Sequence, residues 1–329
     1  MARVIKHGIL SVLIMCIFGC KKSNQDLIKN NTTLHEDIWY LTTNTDKTKN
    51  VELFVKEIGV GDTIVVVHGG FGAEHSYLLD LFKGMENDFH LVYYDQRGSL
   101  RSPSADSLIT AMSHVEDLEK LRQELKIEKL TIFGHSMGTW VASAYLNKYP
   151  NRVKQMTLLG LVWPKQDMTE EEIEISNSAD DAYSEFVSRE AVTKEMEQQG
   201  LTKSGLNSRE LTYKWRIRFA SANIYDVTKW NQLKGGMVFY NQAAGTASGT
   251  TMPEGYNWIE TYKKNPQVPI TVINGSHDLV DFGGVLHKKW LEPLQNVNYF
   301  MVDKAGHNSW IDQPEEIIKL VKESFARSH

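Results

Sequence analysis

The stretch KLTIFGHSMGTWVASAYL, Lys129 to Leu146, constrains the fold more than any other part of the chain. An apolar run of strand length leads into Gly134-His-Ser-Met-Gly138, and a helix-forming run leaves it. A serine at such a junction sits in a turn so tight that the residues two away must be small, and Gly134 and Gly138 meet that need. The turn lifts the Ser136 hydroxyl above a sheet and puts the Met137 N–H at a helix N-terminus. Taken alone, the pentapeptide suits an ordinary serine in a glycine-flanked turn as well as it suits a nucleophile. A nucleophile also needs a base, an acid and an oxyanion hole, all in workable order.

The flanking sequence alternates strands and helices. IWYLTT and VELFVKEIG read as a hairpin, and TIVVVHGG as a strand buried on both faces. Leu91 to Asp95 reads as another strand. Val115, Leu118, Leu121 and Leu125 keep helical spacing, with Glu116 and Lys120 paired four apart. Pro150 ends the helix after Ser136, and QMTLLGLV is the next strand. This rhythm implies a mostly parallel sheet with right-handed crossovers. It breaks after Trp163. Residues 164–265 read as helical, charged and aromatic, with Thr169 and Glu172 as a capping box and GTASGTTMPEG as a loop. The rhythm returns with VPITVINGSHD, a helix near GGVLHKKWLEPL, the strand VNYFMVD and a helix from Pro314 to Phe325. The expected domain is therefore 36–163 joined to 266–329, with 164–265 inserted as a helical lid over the carboxyl ends of the strands, where ligands of such folds bind.

Residues 1–20 read as a signal peptide of lipoprotein type. Arg3 and Lys6 precede the short apolar run Gly8 to Gly19, and Cys20 stands where a lipid would be attached. A polar tether, 21–35, follows. The two cysteines, Cys16 and Cys20, both lie here, so the mature fold has no disulfide to rely on. The expected location is a bacterial envelope, periplasmic or at the cell surface, with membrane contact through a lipid on Cys20. The 329 residues are 41% hydrophobic and 23% charged, with a formal net charge of -5. No basic stripe is present, which argues against a nucleic-acid partner.

A serine hydroxyl is a poor nucleophile at neutral pH until a base takes its proton, and that base needs an orienting acid. The order Ser, Asp, His along the chain suits this fold. Asp278 follows the strand in VINGSHD, and His307 follows the strand in VDKAGHNSW. Both therefore stand at strand carboxyl ends, on the edge that carries Ser136. Asp281 competes with Asp278 as the acid, and His277 and His135 compete as bases. Glycines in His68 to Gly72 let a backbone N–H approach the oxyanion; Gly70 is favoured, with Phe71 second, and the Met137 N–H is the other donor. His68 is read as a brace for that loop.

HGGFG, YDQRGSLRS (Tyr94 to Ser102), GHSMG, NGSHD and AGH together resemble the α/β-hydrolase fold, and more narrowly the prolyl aminopeptidase (proline iminopeptidase) family. The resemblance runs from about Ile38 to the C-terminus and is weak in the insertion. It implies a sheet flanked by helices with an inserted helical lid. It also implies a Ser136–Asp278–His307 triad acting through an acyl-enzyme on short peptides, with no cofactor or metal, and Asp95 to Arg97 bracing the floor of the site. Three departures stand out. Phe71 replaces a proline, and His135 and Met137 occupy elbow positions often held by Gly and Trp. In FASANIYD, Asn223 and Tyr225 match the family's run, but Ala222 stands where a carboxylate would grip the substrate's amino terminus. Asp226 and Glu254 are the candidate replacements, and Phe71 is a candidate substrate contact. The missing acid and the aromatic lid favour an alternative, a carboxylesterase on small acyl esters. A ligand-binding lipoprotein on a hydrolase scaffold is a more distant reading. Ser136 disfavours halide and epoxide chemistry, whose relatives carry Asp at the elbow.

Overall fold

The structure is a computed structural model that describes residues 36–43, 50–234 and 240–326. The expected leader (1–20), tether (21–35) and lipidation at Cys20 lie outside the described residues.

Strands β1 (Glu36–Thr42) and β2 (Glu52–Gly59) pair antiparallel as the expected hairpin, with Trp39 opposite Val55. Strands β3 (Asp62–Val67), β4 (Phe89–Tyr94), β5 (Leu130–His135), β6 (Val153–Leu159), β7 (Ile270–Gly275) and β8 (Val297–Val302) complete an eight-stranded sheet in the order β1-β2-β4-β3-β5-β6-β7-β8. Only the β1–β2 and β2–β4 pairings are antiparallel. The continuous apolar runs follow from burial on both faces. Along β3, Val65 and Val67 join the core on one side, while Ile64 and Val66 join the core on the other.

Helices α1 (Ala111–Glu124) and α2 (Met137–Lys148) precede and follow β5. Between β6 and β7 come α3 (Glu170–Val187), α4 (Glu190–Gln198), α5 (Ser208–Asn223), α6 (Gln242–Gly249) and α7 (Trp258–Lys264). Helix α8 (Val285–Leu291) links β7 to β8, and α9 (Ser309–Asp312) and α10 (Pro314–Ala326) close the described chain. No helix among the described residues is long and apolar enough to cross a membrane.

The capping box on α3 is formed: Thr169 accepts from the Glu172 N–H, and Glu172 accepts from the Thr169 N–H. The stretch expected as a loop, Gly245 to Gly255, instead begins inside α6. Asn241 caps this helix by accepting from the Ala243 and Ala244 N–H groups. Its small residues serve packing. Ser248 Oγ lies 2.8 Å from His114 Nε2, and a side chain on Gly245 would run into Tyr240 and the Phe71 carbonyl.

Candidate active site

Strand β5 delivers Ser136 at the centre of the sheet's carboxyl edge. The residue has φ 52° and ψ −126°, a strained backbone for any residue with a Cβ and typical of functional turns. A methyl group on Gly138 would press on the Val67 and His68 carbonyl oxygens, so helix α2 lies that close to β3 only because position 138 has no side chain. Met137 opens α2, and the first N–H of a helix has no intrahelical acceptor.

His307 follows β8, two strands further out than β6. Its loop crosses back toward β5 over Gly160, where a Cβ would lie 3.0 Å from both Nδ1 and Cε1 of the imidazole. His307 Nδ1 lies 3.0 and 2.9 Å from the two Asp278 oxygens. Asp278 is fully buried and also accepts from the Val280 N–H at 2.9 Å. Burial pushes the Asp278 carboxyl up; His307 and the Val280 N–H outweigh it and hold it below the ordinary carboxylate range. With Nδ1 engaged by the carboxylate, Nε2 is the nitrogen left for proton transfer. Ser136 and His307 line one cavity of about 620 Å³. No hydrogen bond joins Ser136 Oγ to His307 among the described contacts; such bonds are often long before substrate binds.

The geometry separates the competitors. Asp281 accepts from the His287 N–H at 2.7 Å and lies 3.3 Å from that imidazole, so it serves the start of α8 and not His307. His277 packs against Phe186, Tyr225 and Phe282. His135 is buried, with Nδ1 2.7 Å from Tyr77 Oη and Nε2 3.2 Å from the His307 carbonyl. Burial and then the neighbouring His307 lower its pKa to about 3, so it stays neutral and braces the site. His68 does the same for its loop, accepting from the Gln96 N–H at 3.0 Å.

Three candidate substrate contacts do not reach the cavity. Phe71 is 4% exposed, stacked on His114 and edge-on to Trp140, because its ring completes the core. Asp226 caps the short helix Val227–Gln232 through the Thr228 N–H and hydroxyl. Glu254 is exposed and absent from the cavity wall. Gly70 does line the cavity, with φ 57°. Gly69 spends its N–H on Tyr77 Oη at 2.6 Å.

Asp95 to Arg97 brace the floor. Asp95 meets His75 and Arg101, Gln96 donates to the His68 carbonyl, and Arg97 forms a two-pronged pair with Asp117. Glu74, His75 and Asp95 bring potential metal ligands within 4.8 Å of one another. The Arg101 guanidinium already supplies positive charge there, 2.7 Å from Glu74 and 3.4 Å from Asp95.

Residues 62–314 match the family described as alpha/beta hydrolase fold. The chain belongs to the α/β-hydrolase family. The Lactobacillus helveticus protein named proline iminopeptidase is similar to this α/β hydrolase at 25% identity over 283 residues, covering 79% of this chain and 88% of the relative. The Mus musculus protein named 1-acylglycerol-3-phosphate O-acyltransferase ABHD5 is 27% identical over 293 residues, covering 82% and 79%. A thermophilic esterase from Thermogutta terrifontis shares the fold, with a TM-score of 0.61 at 18% identity over 90% of this chain and 99% of that one.

Two residues of this α/β hydrolase site carry no motif signal. Tyr77 links the two loops around Ser136: the Gly69 N–H donates to its oxygen, its O–H donates to His135, and His135 Nε2–H donates to the His307 carbonyl. Asp312 accepts the N–H groups of Tyr225 and Gly306 at one oxygen and of Asp226 at the other. It ties the end of α5 to the loop that carries His307.

Proposed function

We propose that this hydrolase is a serine esterase that cleaves small carboxylic esters. His307 Nε2 takes the Ser136 proton as Oγ attacks the carbonyl carbon, and Asp278 holds the imidazolium. The Gly70 and Met137 N–H groups receive the oxyanion. His307 returns the proton to the leaving alcohol, and water then releases the acyl group from Ser136 by the same path. The Nδ1–Asp278 contacts and the strained Ser136 backbone support these roles.

The observation that carries the choice of substrate is the cavity wall. It is built from groups such as Trp215, Phe219, Leu233, Tyr240, Trp310 and Ile318. Its only carboxylate among the described residues is Asp80, an exposed group 3.4 Å from Lys234. A free amino terminus would lose its solvation there without a buried partner. The second reading, an aminopeptidase taking N-terminal residues from short peptides, draws on the HGGFG and YDQRGSLRS motifs and on the relatives named proline iminopeptidase.

Purified protein is expected to cleave p-nitrophenyl butyrate far faster than prolyl or alanyl p-nitroanilide, and Ser136→Ala is expected to abolish both activities. Anilide turnover that depends on a free amine selects the aminopeptidase, and activity surviving in Ser136→Ala removes the mechanism. Export with a lipid on Cys20 belongs to the same proposal. Mass spectrometry of the mature N-terminus tests it, with an unmodified Cys20 as the contrary result.

A further inference from the structure

Helix α5 presents Arg216, Phe219 and Asn223 to the cavity. Their spacing of three and four residues puts them on one helix face. The lower end of this stripe is fixed beside the proposed base, because the Asn223 carbonyl accepts from the Asn308 N–H at 2.8 Å. Arg216 lies seven residues up the helix, about 10 Å away at 1.5 Å per residue.

Arg216 is half-buried. It donates through Nη2 to the Leu233 carbonyl at 3.0 Å and the Asn231 carbonyl at 3.4 Å, and its guanidinium lies 5.0 Å from the Trp230 ring centroid. These contacts orient the cation without neutralising it. No carboxylate is ion-paired with Arg216 among the described residues, whereas Lys234 on the same wall has Asp80 and the one acid of α5, Glu210, is held by Lys203 at 2.8 Å. The cavity therefore joins a long apolar wall to an oriented positive charge about two helical turns from Asn223, the residue that holds the His307 loop.

Building on the esterase reading, we propose that the preferred substrates are carboxylic esters whose acyl chain ends in an anion, with Arg216 receiving that anion. Extended chain covers roughly 3.4 Å per three bonds, so a span of about 10 Å takes about eight or nine bonds. Monoesters of medium-chain dicarboxylic acids fit this description. A charge-assisted hydrogen bond in a partly dry site gives such a group both orientation and affinity.

The test compares p-nitrophenyl hemisuberate with p-nitrophenyl octanoate, which share an eight-carbon acyl chain and differ in the terminal charge. The readout is the ratio of kcat/KM for the charged ester to that for the neutral one. Arg216→Gln is expected to lower this ratio about tenfold through KM, and Arg216→Lys to keep most of it. High salt is expected to lower the ratio in the wild-type protein. A ratio unchanged by Arg216→Gln overturns the proposal. If neither ester is turned over, the esterase reading fails separately, and calorimetry with the free acids decides the anion site. Suberate binding to Ser136→Ala protein that is lost when Arg216→Gln is added upholds the site; binding indifferent to Arg216 overturns it.

Discussion

A methyl group at position 160 would stand 3.0 Å from two atoms of the His307 ring. Gly160 also has φ 61°, where an L side chain adds about 1 kcal/mol of strain. Gly160→Ala is therefore expected to leave the far-UV circular dichroism unchanged and to cut ester turnover about 10²-fold, the usual cost of displacing a reacting group by about 1 Å. Turnover within twofold of wild type would mean that the ring does not work where it lies. The residues that sequence revealed at this scale are those that backbone geometry forces: Ser136 between its glycines, and Asp278 and His307 at strand ends. Sequence favours Asp278 over Asp281 because it lies nearer the strand end, but only the turn between them shows which carboxylate faces His307. Phe71, Asp226 and Glu254 misled because nothing in the local sequence says which way a side chain points.

Between elements, the Asp312 carboxylate is the narrowest connection. Its three N–H partners come from the end of α5 and from the His307 loop, and Lys229 adds bonds to the Ile311 and Asp312 carbonyls. Arg189 gathers the same region by donating to the Phe186, Ser221, Ile224 and Tyr225 carbonyls. Asp312→Ala strands three donors at about 1 kcal/mol or more each. A loss of about 3 kcal/mol is expected in urea denaturation, with a fall in kcat because the loop loses its anchor; a change under 0.5 kcal/mol would contradict the role given to Asp312. The capping box of α3 was legible because two side chains three residues apart write it. Helix α6 was not, because Gly, Ser and Thr chosen for close packing on α1 resemble the residues of a loop.

Across the whole molecule, buried imidazoles set the response to acid. Burial holds His114 and His135 at about 3, against an ordinary 6.5. Between those values the unfolded chain binds protons that the folded chain refuses, so stability falls as pH falls. Each group contributes about 2 kcal/mol of loss between pH 7 and pH 5. Burial pushes the Asp312 carboxyl up, which acts in the opposite sense. Urea midpoints at the two pH values are expected to differ accordingly, and His114→Gln to flatten the difference; a level profile would show these rings to be wetter than their positions indicate. The sheet itself was readable because strands buried on both faces spell unbroken apolar runs, whereas part of the substrate wall, including Trp215, Phe219, Leu233 and Tyr240, comes from the insertion, where packing and not periodicity selects residues. Strand order has one more consequence. The proposed nucleophile comes from the centre of the sheet, and its acid and base from the two strands added last, β7 and β8. A ribosome has therefore made Ser136 well before it makes Asp278 or His307. A half-synthesised chain holds a harmless serine, and reactivity arrives only when the final edge of the sheet has docked.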